Sequence, residues 1–496
     1  MKHALLRGRP LLTATIVLAL AACARAPAKL DHPVLRNDVP LAGLDAPART
    51  GWPAAQWWRK YDDPQLDKLI ARALRQSPDI ALAQTRVQSA QQSVRLAAAQ
   101  MGLSINGNAQ VSRQRMSEHG LIPSEFLGFT WYNQADIGLQ LQYDFDWWGK
   151  KRATVEAALD QAHAAQAQRS AAALAIQYAV ADTYFGWQAD QARLQLVKQM
   201  LSMQHQLAQI AALRVKQGVD LPDETQKANA RVASLEGMRA AIEGSAQMRK
   251  VALAALLGIA PAELPELHAR PLPPVERGIP ANASIDLIAR RPDIVASRWQ
   301  VESMLKKTDA ARAAFFPDIG ISAMAGLSSI DMDKLFTLGS RTFALTPAIH
   351  LPIFNGGALE ANYGLSKAQL DSAVAQYNSA VLGAAREVAT QALNAEQLAA
   401  RRHARQAELD ADRQLLASAQ ARLRQGVRDV RESLAAKAQL LQQQDAALQL
   451  QSQALSADLA LIKALGGGYR GADEASAKSQ PAPSSSSTGA ADHERH

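Results

Sequence analysis

The sequence predicts a mainly α-helical protein that carries a membrane β-barrel, built from a duplicated helix-strand-strand-long helix-turn-helix unit. Three observations predict it. In Ile137–Asp146 every odd position is apolar and every even one is polar or small, the alternation of a strand with one oily and one wet face. From Lys150 to Lys216 there is no proline and a single glycine, Gly186. That predicts one helix of about 65 residues, roughly 100 Å long, far beyond the helices of ordinary globular domains. Landmarks then recur at nearly one spacing: Gly149 to Gly356 is 207 residues, Gly218 to Gly426 and Gly258 to Gly466 are 208, and Pro78 to Pro292 is 214. Same-order recurrence is the mark of a repeated unit.

Residues 1–22 read as a secretory signal. Lys2, Arg7 and Arg9 give the positive start, and Leu11–Leu20 is an apolar run too short to span a bilayer. The run ends at Leu20-Ala21-Ala22-Cys23, and Cys23 is the only cysteine of the chain. The segment resembles a bacterial lipoprotein signal, which implies cleavage before Cys23 and a covalent lipid on it as membrane anchor. Ala24 follows, with no aspartate to hold the protein in the inner membrane, so the outer membrane is expected. With one cysteine no internal disulfide is possible. The net charge of +8 is spread along the chain without a basic block interleaved with aromatics, which argues against nucleic acid.

Residues 23–62 read as a lipid-anchored extended arm. Its Trp52, Trp57 and Trp58 fit two roles equally, interfacial anchors near lipid or pins holding the arm to the body. Residues 63–258 form the first repeat, with strands near 103–113 and 135–146 and a tip near 218. Residues 259–284, rich in proline, read as a linker. Residues 285–470 form the second repeat, with strands near 318–328 and 342–353 and a tip near 426. Residues 471–496, rich in Ser, Ala and Pro, read as a disordered tail.

Leu434, Leu441, Leu448, Leu455 and Ile462 recur every seven residues, while Leu196, Met200, Met203, Leu207 and Ile210 step by four and three. Both are coiled-coil spacings. Each tip glycine should fold its two helices into an antiparallel hairpin. The polar strand positions Asn106, Asn108, Gln110, Gln140 and Gln142 should face water. Four strands cannot close a membrane barrel, because open edges strand backbone groups in lipid. Several copies must share one barrel: two give eight strands, three give twelve.

The lipobox, the duplicated plan and the tip motifs Arg214-x-x-x-Gly218-Val219 and Arg422-x-Arg424-x-Gly426-Val427 resemble the outer membrane efflux factor family, the TolC-like channels, in its lipoprotein branch. The resemblance spans roughly Trp58–Gly468. It implies a homotrimer with a shared 12-stranded outer membrane barrel and a long periplasmic α-helical barrel. Its mouth would dock a periplasmic adaptor, joined to an inner-membrane efflux pump of the RND type. Drugs or other small toxic compounds would be the cargo.

By that resemblance Arg214, Gly218, Val219, Arg422, Gly426 and Val427 are expected to meet the adaptor. Family members close the mouth just after the second tip. Here Glu432 falls where some carry an aspartate, Ala435 where a second acid is usual, and Arg431 where others carry leucine. The expected gate is Glu432, its three copies held by Arg428 or Arg431 of a neighbour, with Asp220 a further member. Neither a phosphate-binding loop nor metal-ligand histidine spacing is present, so no enzyme activity and no cofactor beyond the lipid are expected. The competing readings are a periplasmic adaptor and a structural coiled-coil lipoprotein without a pore. An adaptor lacks the duplication, and a scaffold has no use for wet strand faces.

Overall fold

The computed structural model describes residues 26–31, 33–40, 48–49, 51–117, 126, 128–275, 278–280, 283–427 and 429–471. The signal segment, Cys23, Arg428 and residues 472–496 lie outside the described residues. In chain order the elements are β1 (Ala48–Arg49), α1 (Pro64–Gln76), α2 (Pro78–Ala99), β2 (Ser104–Arg115), β3 (Trp131–Phe145), α3 (Lys150–Lys216), α4 (Pro222–Leu257), β4 (Ile279–Pro280), α5 (Ala283–Arg290), α6 (Pro292–Ala313), β5 (Asp318–Ser329), β6 (Arg341–His350), α7 (Ala358–Arg424) and α8 (Val430–Ala464). Among the described residues no helix is long and apolar enough to cross a membrane. Among the described residues, those within 26–35, 86–165 and 297–377 form one unit, and those within 36–85, 166–296 and 378–471 a second.

The first unit is organised on an antiparallel sheet of order β2-β3-β5-β6. Its register keeps the two faces apart. Ile105 lies opposite Leu141 and Ala109 opposite Ile137, while Asn106 lies opposite Gln140 and Ser104 opposite Gln142. Ile137 then lies opposite Leu327 and Tyr143 opposite Ile321, and Ala323 lies opposite Leu345 and Ile319 opposite Ile349. A period of two makes register and face one decision. The result is an apolar face across all four strands that gives way to Arg113, Arg115, Asn133 and Arg341 at one end, and Ile105, Val111, Leu139, Phe343, Leu345 and Ile349 on it are all exposed.

Strand β3 starts at Trp131, four residues before the expected 135, because Trp131–Gln134 continue the ladder opposite Arg113–Arg115 and Ser112. Strand β6 ends at His350, short of the expected 353, just before Pro352, which has no N–H for a ladder. Aromatics gather where β3 leaves the sheet: Phe145 packs edge-on to Tyr143 and Trp147, and Trp148 stacks on Phe316 at 4.7 Å. Asp146 then starts α3, its carboxylate accepting the amides of Lys151 at 2.9 Å and Arg152 at 2.8 Å, groups that a helix start otherwise leaves unpaired.

In the second unit Trp57, Leu66, Ile70, Val180, Tyr184, Leu253, Leu257, Leu455, Leu459 and Ile462 form the main core. Trp57 and Trp58 are buried in it, and their indole N–H groups donate to Gln177 at 3.2 Å and Asp67 at 2.8 Å. These two pin the arm, and the lipid-anchor alternative does not apply to them. The proline-rich stretch is more than a linker. Leu264, Leu267, Leu272 and Val275 pack on the core, Gln188 accepts the Arg270 amide at 2.7 Å, and β4 pairs in parallel with β1.

The repeated landmarks touch one another. Helices α4 and α8 end at Gly258 and Gly466, each with positive φ. A Cβ on Gly258 would lie 2.7 Å from the Gln76 carbonyl oxygen, and one on Gly466 would lie 2.0 Å from that of Arg290. Gln76 and Arg290 sit just before Pro78 and Pro292, where a proline opens a new helix. The glycine and the proline of each repeat are therefore two sides of one close backbone crossing.

The hairpin packing differs from the expected pairing at one seam. Leu194, Val197 and Leu201 of α3 pack on Ile242 of α4, and Leu398 of α7 packs on Leu450 and Ala454 of α8. These are the expected hairpins. Leu441 and Leu434 of the seven-residue series, however, meet Met200 and Met203 of α3. That series joins one hairpin to the other, and the α7–α8 contact uses a different face.

Candidate functional site: the paired helix tips

Both tips are built the same way. In the first, Gly218 has φ 71°, the Val219 amide donates to the Arg214 carbonyl at 2.9 Å and the Gly218 amide to that of Val215 at 3.0 Å. In the second, Gly426 has φ 71°, with Val427 donating to Arg422 at 3.0 Å and Gly426 to Leu423 at 3.0 Å. This double closure with a left-handed glycine is the Schellman ending of a helix. The residue four before each glycine, Arg214 or Arg422, supplies the closing carbonyl from its backbone, a role that any residue could fill. Leucine at 221 leads into Pro222, the first residue of α4, whereas Asp429 opens α8 by accepting the Arg431 amide at 3.1 Å. Val219, Leu221 and Val427 are left exposed at 58%, 71% and 65%.

The arginines act a second time through their side chains. Arg214 grips Asp220 with two bonds, Nε to Oδ2 at 2.7 Å and Nη2 to Oδ1 at 2.9 Å, the forked geometry suited to a carboxylate. Arg431 donates to Asp429 at 2.7 Å and lies 3.8 Å from Asp220. Arg214, Asp220, Arg431 and Asp429 thus form one chain of alternating charge linking the two tips. Arg422 donates to Glu432 at 2.6 Å. The hydrogen bonds from Arg214 hold the Asp220 carboxyl below its ordinary value, and those from Arg431 do the same for Asp429. Arg214 is correspondingly held above its ordinary value by Asp220.

The expected gate members Glu432, Arg431 and Asp220 are therefore all present at the tips. Within its own chain Glu432 accepts a hydrogen bond from Arg422, whereas the expected pairing with Arg428 or Arg431 concerns a neighbouring copy. The guanidinium of Arg431 is turned to Asp429. The six-residue step from Arg214 to Asp220 and the ten-residue step from Arg422 to Glu432 each cross a turn, so helical spacing does not reveal them. Asp429 was missed altogether; its position one residue before a helix was the available signal. Among the described residues no group of three or more His, Cys, Asp or Glu side chains could hold a metal ion.

A two-faced sheet with open edges, continued by paired hairpins of very long helices, defines an outer membrane channel-tunnel subunit. The chain belongs to the outer membrane efflux protein family, whose sequence profile matches residues 69–259 and 284–467. It is 33% identical over 445 residues to the multidrug resistance outer membrane protein MdtP of Escherichia coli O6:H1, covering 88% of this chain and 90% of the relative. It is 33% identical over 477 residues to the multidrug resistance outer membrane protein MdtQ of Escherichia coli O157:H7, covering 92% and 97%. Among solved structures it resembles the outer membrane protein VceC of Vibrio cholerae, with a TM-score of 0.75 and 33% identity, over 84% of this chain and all of that one. The protein is thus an efflux channel component of the outer membrane.

Proposed function

We propose that three copies close a 12-stranded barrel and conduct small toxic compounds or drugs passively from the periplasm to the exterior, when a periplasmic adaptor and an RND-type inner-membrane pump engage the tips. The observation that carries this reading is the sheet. Its apolar face runs across all four strands, and among the described residues its edge strands β2 and β6 pair on one side only, which lipid does not tolerate without closure. A lipid on Cys23 anchors the assembly at the outer membrane. The exposed Val219, Leu221 and Val427 beside the charged tip network give an adaptor an apolar contact with a polar rim. With energy supplied by the pump, the channel itself performs no catalysis.

Single-channel conductance in a planar bilayer tests the gate. The wild type is expected to conduct weakly. Glu432→Ala, and equally Arg422→Ala, should raise conductance severalfold, and the double variant should match the singles, because the two side chains act as one pair. A pore indifferent to all three removes the gate and leaves the channel. Protein that is an intact oligomer yet forms no pore favours the scaffold reading.

The pH dependence has a definite sign. A carboxyl held below its ordinary value keeps its pairing at every pH above that value, and loses it only as pH falls through the lowered one. The Asp220 and Asp429 links should hold the tips unchanged from about pH 5 to pH 8 and release them only below about pH 4, the ordinary range of aspartate. Conductance that rises near pH 6 would show a different group in control.

A further inference from the structure

The apolar face of the sheet ends in different chemistry at its two ends. Towards the helices it closes in aromatics, with Phe145 edge-on to Tyr143 and Trp147. The two lysines that follow are matched by carboxylates there, Lys150 to Asp318 at 3.4 Å and Lys151 to Asp144 at 3.2 Å. Towards the loops it ends in cations. Arg113 and Arg115 continue the row of Ile105 and Val111 on β2, and Arg341 precedes Phe343 and Leu345 on β6. All three arginines are exposed, and among the described residues neither Arg113 nor Arg341 has a hydrogen-bond or ion-pair partner. Trp131 sets the level, because an exposed indole at the end of a lipid-facing strand settles at the membrane–water interface. It lies opposite Arg115, so Arg113 stands one row, about 7 Å, nearer the middle of the bilayer. A cation there is costly unless its charge is carried back to the headgroups. Arg113 turns over the Trp131 ring, its guanidinium 5.6 Å from the ring centre, and so brings its charge to the interface while its stem stays on the apolar face.

We propose that Arg113, Arg115 and Arg341 bind the phosphate groups of the phosphorylated glycolipid that forms the outer leaflet of the outer membrane. The inference rests on the barrel proposed above, in which the end of the sheet away from the helices faces the exterior. β2 and β6 are the two edges of the sheet. Closure sets the β6 edge of one copy beside the β2 edge of the next and brings Arg341 to the same junction as Arg113 and Arg115, with three such junctions in the ring. Three like charges gathered on an apolar surface repel one another unless an anion lies among them. A guanidinium suits a phosphate better than any other side chain does, because its fork gives two parallel hydrogen bonds. The apolar row beneath, with Val111, Phe343 and Leu345 exposed on it, meets the acyl chains of the same molecule. The helix end supplies carboxylates to its own cations, and the loop end leaves its cations to the lipid.

The test is native mass spectrometry of the full chain in detergent, offered lipid A with its phosphates, lipid A stripped of them, or phosphatidylglycerol. The wild-type trimer should retain the phosphorylated lipid A in preference to both others. Arg113→Gln combined with Arg341→Gln should weaken that retention about 25-fold, about fivefold for each arginine near the headgroups. Arg113→Lys with Arg341→Lys should recover only part of it, since an ammonium keeps the charge and lacks the fork. The heat resistance of the lipid-free trimer should be the same in all variants, and phosphorylated lipid A should raise it in the wild type alone. A trimer that holds both forms of lipid A equally, or phosphatidylglycerol as well as either, overturns the site and leaves the channel standing. Retention that the glutamine variant does not weaken overturns the assignment to these arginines. Protein that is monomeric overturns the barrel and the site with it.

Discussion

Gly466→Ala is expected to destabilise the protein by about 3 kcal/mol, while Gly218→Ala costs about 1 kcal/mol. Both glycines close a helix in the same Schellman geometry, with φ 88° and 71°, so the left-handed backbone penalises alanine at each by roughly 1 kcal/mol. Their surroundings separate them. Nothing lies within 4 Å of a Cβ at Gly218, whereas at Gly466 it would sit 2.0 Å from the Arg290 carbonyl oxygen and 2.8 Å from its carbon. Both obstacles are backbone, at a junction held by Arg291, which donates to the Ala464 carbonyl at 3.1 Å and to Glu387 at 2.7 Å. The helix end must back away and reopen packing at Ile462 and Leu459, which are fully buried. Overpacking of this kind costs about 1–3 kcal/mol beyond the backbone term. Thermal unfolding followed by helical circular dichroism in detergent measures the difference. Equal losses at Gly466 and Gly218 would show that backbone conformation alone governs both sites.

That contrast marks how far the sequence could be read. The alternation of Ile137–Asp146 and the proline-free run after Lys150 define elements whose signals are local; the structure forms the helix at the expected Lys150–Lys216 and the strand with shifted ends, Trp131–Phe145. Glycine at 218, 258, 426 and 466 marks four equivalent helix stops, yet only the fold separates two tips in open space from two stops wedged against another backbone. Partner choice was equally hidden. The seven-residue series of α8 announces a seam, but the helix across it is α3, over 200 residues away in the chain, because a heptad states which face is apolar and not what covers it. At the tips the acids and arginines were legible as residues. Their pairing was not, since the Schellman turn reverses the chain and brings Arg214 to Asp220 outside any helical spacing. The packing of Leu264, Leu267 and Leu272 was masked by the prolines between them.

Asp445→Ala is expected to cost about 3 kcal/mol or more. Asp445 stands in the α3–α8 seam, with Arg193 donating to it at 2.7 Å and 3.2 Å and Gln449 at 2.7 Å. The side chains are only 21% and 9% exposed, and Met200, Met203 and Leu441 pack in the same seam. Removing the carboxylate leaves a guanidinium and an amide in a largely apolar seam without their acceptor, which costs far more than the pair itself contributes. The same reasoning gives a sharper expectation for the double change Arg193→Met with Asp445→Leu. It removes both charges and fills the space with apolar groups, so its stability should return to within about 1 kcal/mol of the wild type. A double variant as unstable as Asp445→Ala would mean that the pair stabilises the seam outright. Conductance separates structure from gating. The seam joins the two hairpins, so Asp445→Ala should also loosen the tips and raise conductance. The apolar double variant restores the seam and leaves Arg214–Asp220 and Arg422–Glu432 untouched, and should therefore conduct like the wild type.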